Sequence, residues 1–252
     1  MPPISGQSIL IIGGSSGIGA AAAKLAAAEG VNVSVASSNP ARVANAVKAI
    51  STSVPHAKIT GYTIDLTSDD VEAHLEKLFT DITTANGAKL DHIITTANTV
   101  DMKPLPEIAA SYLRDSSKFS LIAPMLIGKL GPRFLKPSYR SSIILTSGRI
   151  AERPVKGYTM GAYRAAGIYG LTRALALDLA PVRVNVVGPG ATETEMWGDE
   201  VKRKQMREIM TGRMLLGWVG DAVEVAEAYV YLMKNTNSTG SVVGSDGGAF
   251  LQ

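Results

Sequence analysis

The chain of 252 residues contains no cysteine. That excludes a disulfide framework, thiolate metal centres and a cysteine nucleophile. Histidine is scarce: His56, His74 and His92 are scattered, so a histidine-rich metal site is not expected. Carboxylates are present, but none has calcium-loop spacing, and no metal is expected. No apolar run approaches the ~18 residues of a membrane span. The opening segment has no basic stretch ahead of its short apolar run and no small-residue cleavage site. A dominant charge is missing too. The 25 Lys+Arg nearly balance 22 Asp+Glu, and the net +3 is too small to argue for nucleic acid or an anionic membrane. What is present is a globular balance, 46% hydrophobic against 19% charged, in a chain long enough for a substantial core. A soluble, cytoplasmic protein is expected.

Short β-branched runs alternate with longer helical patterns. Strands are expected at 8–12, 31–36, 59–64, 90–95, 142–146, 182–187 and from 241. Helices are expected at 17–29, 40–51, 68–85 (entered by a Ser68-Asp69-Asp70 cap), 107–117, 119–134, 161–179, 199–210 and 221–234. Gly188-Pro189-Gly190 reads as a chain break. Strands alternating with helices imply right-handed crossovers and a parallel sheet covered on both faces. With no internal repeat or linker, residues 1–252 read as one domain. The irregular stretch 192–219 reads as a substrate lid within it.

Gly13-Gly14-Ser15-Ser16-Gly17-Ile18-Gly19 lies between the first strand and an Ala-rich helix. Glycines there allow a tight turn and close approach of backbone to a pyrophosphate, and the helix N-terminus offers unpaired N–H groups. The spacing Gly13-xxx-Gly17-x-Gly19 resembles the cofactor loop of the short-chain dehydrogenase/reductase (SDR) family. Asp65-Leu66 is similar to the pair that contacts the adenine in that family. Asn185 to Gly190, followed by Thr192 and Thr194, resembles the segment around the nicotinamide, and Asp246-Gly247-Gly248 the C-terminal signature. The resemblance spans the chain. It implies a single-domain Rossmann-like, doubly wound α/β sheet of about seven strands with helices on both faces. It also implies cofactor contacts from Gly13, Ser15, Ser16, Gly17, Ile18, Gly19, Asp65, Leu66, Ala97, Asn98, Pro189, Gly190, Thr192 and Thr194.

The end of the second strand reads Ala36-Ser37-Ser38-Asn39, with Arg42 following. A carboxylate in this place would bind the ribose hydroxyls and repel a 2′-phosphate. None is present. Ser37, Ser38 and Asn39 can donate to phosphate oxygens and Arg42 can supply charge, so NADP(H) is the expected cofactor. The same three residues can also cap the next helix.

The resemblance fails at the proton-handling residues. SDR chemistry uses Asn, Ser, Tyr and Lys, with the phenol as the general acid or base. Aligned through Gly170-Leu171-Thr172, the Tyr falls on Gly161 and the Lys on Ala165. The Ser falls on Gly148 and the Asn near Ser120, while the usual Asn-Asn-Ala-Gly reads Thr95-Thr96-Ala97-Asn98. Tyr158, Tyr163 and Tyr169 are followed four residues on by Ala162, Gly167 and Arg173, so Tyr-xxx-Lys is not restored elsewhere. Tyr158, three residues before the lost Tyr, and Ser147, at the carboxyl edge of the sheet, are the substitutes expected to be catalytic. Lid packing for Tyr158 and a local turn bond for Ser147 are the competing roles. Arg149 and Arg153 could meet an anionic substrate or remain solvated surface. Asn98 and Asp101 could contact substrate or shape a turn. Arg164 is expected to point about 100° away from the lost Lys. Met196, Trp197, Met206, Met210, Met214 and Trp218 suit an apolar pocket or ordinary packing.

The expected function is NADP(H)-dependent reduction of a bulky, apolar, already activated small molecule, such as an iminium or polarised carbonyl or enone. Accessory enzymes of secondary metabolism are the association this resemblance suggests. The alternatives are a cyclase, isomerase or pericyclase without net redox, and a non-catalytic nucleotide-binding protein. The family resemblance also implies a homodimer or homotetramer through helices 119–134 and 161–179, the second carrying Ala162, Ala165, Ala166, Gly167 and Gly170.

Overall fold

A computed structural model describes residues 1–99, 102–249 and 251. Asp101 therefore lies outside the described residues. β1 (Ser8–Ile12) is buried at every position. It is a central strand, flanked in parallel by β2 (Asn32–Ser37) and β4 (His92–Thr95). β3 (Ile59–Thr63) extends the sheet on one side. β5 (Ser142–Thr146), β6 (Arg183–Pro189) and β9 (Val242–Ser245) extend it on the other, in the order β3-β2-β1-β4-β5-β6-β9. Seven parallel strands in one sheet are what the alternating pattern predicts. β7 (Thr192–Glu193) and β8 (Gly220–Asp221) form a separate small ladder that the sequence did not suggest.

Period-two alternation assigns each strand side chain to one of two cores. Leu10, Ile12, Ile93, Ile143 and Leu145 join Phe79 and Ile127 on one face. Ile9, Ile11, Ile94 and Ile144 join Ala23 and Tyr229 on the other. The first face is covered by α3 (Val71–Asn86), α5 (Ala123–Phe134) and α6 (Thr159–Asp178). The second is covered by α1 (Gly17–Ala28), α2 (Pro40–Ser53) and α8 (Ala222–Lys234). Small alanines on α1 let α8 pack closely beside it.

Four expectations need correction. The two helices after β4 are one continuous rod: α4 (Ala110–Ser117) runs through a π-turn, Lys118–Ile122, into α5 without leaving helical backbone. The Ser68–Asp70 segment does not cap a helix at 68. The Ser68 hydroxyl accepts the Asp70 N–H at 3.1 Å, a turn bond, and α3 begins at Val71 without a side-chain cap. The Gly188-Pro189-Gly190 break comes later than expected. β6 continues through Pro189 because β9 pairs with it as far as Pro189↔Ser245. α7 (Glu200–Thr211) starts one residue later than expected, because Asp199 is its N-cap and accepts the Lys202 N–H.

Candidate active site

The sheet order reverses between β1 and β4, where a crevice opens beyond the carboxyl ends of the strands. The glycine loop forms one wall. Gly13 has φ +93°, and a Cβ built on it would collide with the backbone nitrogen of Ala97 after β4. A Cβ on Gly19 would collide with the carbonyl of Gly13. Glycine is therefore required for the turn to fold back against the next strand. Ser16 is the N-cap of α1 but makes no side-chain cap bond, and the first turn has no acidic residue. The N–H groups at this terminus are thus left to a ligand, apart from Gly17, whose N–H donates to Glu195 Oε2 at 2.9 Å. Thr194 packs over Gly17, with its Cγ2 3.1 Å from a Cβ placed there. Gly190 lies so close to Asp246 that a Cβ would stand 2.6 Å from its Cα. A pyrophosphate fits this glycine cradle on geometric grounds.

The other predicted nucleotide contacts divide. Asn39 Oδ1 caps α2 by accepting the Arg42 N–H at 3.0 Å, while the Arg42 side chain remains exposed. Asp65 is exposed, but its Oδ1 accepts from the N–H of Thr67 at 2.8 Å and from its hydroxyl at 2.7 Å. Those bonds lower its pKa and leave Oδ2 for an incoming donor. Leu66 is a core residue, 5% exposed. Asn98 is exposed and accepts the Thr99 N–H at 2.8 Å. Thr192 is 7% exposed, and its hydroxyl turns inward to the Gly190 carbonyl at 3.2 Å.

A cavity of about 80 Å³ lies beyond the strand ends. Every position where the family's proton relay should stand lines it: Ser120, Gly148, Gly161 and Ala165. Tyr158, Ser147 and Asn98 line it as well. A Cβ on Gly161 would be 2.5 Å from Cε2 and Cζ of Tyr158, so the ring of Tyr158 fills the space that a side chain at 161 would take. Ser147 donates its hydroxyl proton to the Ala165 carbonyl at 2.7 Å, which leaves only lone pairs for a ligand. It holds α6 against the end of β5. Ser120 lies in the π-turn and donates to the Ser116 carbonyl at 2.6 Å.

Arg164 belongs to the buried face of α6. It is 6% exposed and lines this cavity beside Ala165, because the face of α6 that carries Gly161, Ala165 and Ile168 turns inward and takes residue 164 with it. Single-residue helix arithmetic hid this arginine. The inward face could be read only after the outward stripe of Tyr163, Ala166, Gly167 and Gly170 was known. Arg149 is not solvated surface, whereas Arg153 is exposed. Arg149 pairs with Asp246 at 3.2 Å, both largely buried, and Arg153 donates to the Ala249 carbonyl at 3.0 Å. Together they bind the loop after β5 to the C-terminal segment. Tyr169 is buried beneath Gly188. Burial, then the charge of Glu152, pushes its phenol up to about 12, so Tyr169 is no proton shuttle, and Arg173 four residues on is exposed.

The methionines and tryptophans of the lid do not line this cavity, nor the larger groove of about 780 Å³ beside it. Met214 is buried, whereas Met196 and Trp218 are exposed. The groove is bounded instead by Leu105, Pro154, Val155 and Tyr163, with Gly157 and Thr159 on either side of Tyr158. Among the described residues no cluster could hold a metal ion, and no helix is long and apolar enough to cross a membrane.

A glycine-lined crevice at the switch point of a seven-stranded parallel sheet defines a dinucleotide-binding Rossmann protein. The model of the SDR-like Rossmann domain matches residues 3–252, and the chain belongs to the short-chain dehydrogenase/reductase family. It is 50% identical to the short-chain dehydrogenase/reductase ATR9 of Stachybotrys chlorohalonatus, over 100% of both chains. The solved structure of MalC reductase/Diels-Alderase from Malbranchea aurantiaca is similar with a TM-score of 0.92 and 33% identity, covering 99% of this chain and 98% of MalC. A small-chain dehydrogenase solved with NADPH is similar at a TM-score of 0.78 and 27% identity, over 98% and 99% of the two chains.

Proposed function

We propose that this protein is an NADP(H)-dependent reductase of an activated, bulky, apolar small molecule, with Tyr158 as the proton donor. The observation that carries the proposal is the ring of Tyr158 standing over Gly161, in the cavity where the family's tyrosine would work. Ser37, Ser38 and the exposed Arg42, with no acid among them, support NADP(H) over NAD(H). When bound, the nicotinamide supplies hydride. The chain's residues hold the dinucleotide at the glycine loop, Thr194 and Gly190, and hold a proton at the Tyr158 hydroxyl. No lysine supports that phenol, which suits an acceptor that needs little acid help, such as an iminium or a polarised enone. The apolar groove lined by Gly157 and Thr159, the chain neighbours of Tyr158, supports a large hydrophobic body. Similarity to ATR9 and MalC supports a place in fungal secondary-metabolite biosynthesis.

A second reading is cyclisation or isomerisation without net redox. It is favoured by the missing lysine and by the double description of MalC as reductase and Diels-Alderase. Self-association is part of the proposal. Leu113, Ile122, Met125 and Tyr163 are exposed on the α4–α5 rod and α6. A dimer or tetramer is expected by light scattering, and a monomer at all dilutions would defeat it.

The test is titration with NADPH and NADH by nicotinamide fluorescence, followed by assays with cyclic iminium and enone acceptors. Preferential NADPH binding and acceptor-dependent NADPH oxidation are expected. Product formation with no change at the nicotinamide would move the assignment to the second reading.

A further inference from the structure

Two other largely buried guanidinium groups have polar partners in the chain. Arg183, 3% exposed, donates to the carbonyls of Tyr139, Leu232 and Met233 among others. Arg149 has Asp246. Arg164 differs. It is 6% exposed, and among the described residues none hydrogen-bonds or ion-pairs with it. Among the described residues no carboxylate lines the cavity it borders. Its neighbours there are apolar, including Phe119, Pro124 and Ile168, or neutral and polar, including Asn98 and Tyr158. A guanidinium carries five donors and cannot shed its charge near neutral pH. None of its nitrogens is sealed from solvent without a partner, so the guanidinium faces the cavity itself, where its donors await an acceptor. The cavity supplies the missing half of the pair only when something enters it.

The size of the cavity restricts what that can be. At about 80 Å³ it admits a few waters or one small polar group, and excludes a bulky ring system. The planar fork of arginine matches a planar pair of oxygens. We infer that the cavity is a binding site for a planar, carboxylate-sized oxyanion carried by the substrate, held by Arg164, with the apolar body of that substrate outside it. The inference refines the substrate class of the proposed reductase and rests on that reading for its biological meaning, but the anion site itself does not depend on turnover. Arg164 would then select acidic over neutral substrates and fix the reacting carbon relative to Tyr158.

Acetate is the probe, followed by saturation-transfer NMR of its methyl protons on the full-length chain without nucleotide. Saturable transfer is expected. It should persist when inorganic pyrophosphate fills the glycine loop and in Arg42→Ala. It should weaken about tenfold or more in Arg164→Met. Arg164→Lys keeps charge and length, and guards against a folding defect, to be checked by circular dichroism. It should bind acetate several-fold more weakly, because a point charge replaces the fork. The inference is overturned by absence of transfer in the native protein, by its loss with pyrophosphate, or by unchanged transfer in folded Arg164→Met or Arg164→Lys. NADPH titration of the same samples separates the two ideas. NADPH binding without acetate binding removes only the anion site. Acetate binding without NADPH binding removes only the reductase assignment.

Discussion

The carboxylate of Glu195 accepts the backbone N–H of Gly17 at 2.9 Å, at the N-terminus of the first helix. A side chain from the start of the lid thus occupies one of the donors that the glycine loop presents to a pyrophosphate. A pyrophosphate at the glycine loop would meet this carboxylate at the same helix end, where negative charge is favoured.

Glu195→Ala should therefore bind NADPH about two- to fivefold more tightly, the effect of removing one anion from a helix N-terminus. Fluorescence titration at low ionic strength reads it. Equal or weaker binding would mean that Glu195 helps to hold the dinucleotide instead.

Tyr158→Phe should lower acceptor-dependent NADPH oxidation about 10²- to 10⁴-fold while leaving NADPH affinity unchanged. Gly161→Ala should lower it too, because the new methyl stands where the Tyr158 ring now lies. Combining the two should cost no more than Tyr158→Phe alone, since residues in direct contact are not additive. Additive losses would separate Gly161 from the ring.

Gly19→Ala should fail at the loop rather than at the chemistry. The added Cβ meets the Gly13 carbonyl, a backbone atom that cannot swing aside. Destabilisation of about 1–3 kcal/mol by urea unfolding, with loss of NADPH binding, is expected. A protein of native stability and affinity would contradict the packing described.

His92 predicts an acid limit. Complete burial, with Arg183 and Lys136 adding repulsion, holds its imidazole down to about 3, against an ordinary 6.5. One ring nitrogen faces Ser142 Oγ at 2.8 Å and the other Gln7 Oε1 at 2.7 Å. The unfolded chain takes up a proton here between those two values and the folded chain does not. Stability is therefore full above pH 6.5 and falls on acidification toward pH 3, by about 1 kcal/mol per pH unit. Unfolding midpoints across that range should flatten in His92→Asn. An unchanged slope would assign acid sensitivity elsewhere.

Much of this was legible in the sequence, and for specific reasons. Ile9 to Ile12 read as a buried strand because both faces of a parallel sheet are covered, and the glycine spacing placed the crevice. Asn39 announced its helix by capping chemistry. Tyr158 was selected by its distance from a missing tyrosine, but that its ring overlies Gly161 is a three-dimensional fact. Arg164 was hidden because which face of α6 turns inward depends on the sheet beneath it. The methionines and tryptophans of 196–218 could not be placed from sequence, because such a stretch looks alike whether it faces a pocket or solvent. Glu195 gave no signal at all, since its partner is a backbone N–H from the other end of the chain.

The contact between Tyr158 and Gly161 also bears on how such a site could change over generations. The two positions share one volume, so a tyrosine cannot return to 161 while the ring at 158 stays where it is. Reversion by a single codon meets a steric barrier, and the lysine at 165 would be missing still. The ordinary arrangement and this one are separated by coordinated replacements. Restoring the standard residues in the present protein should therefore be attempted with Tyr158 reduced to a small side chain first.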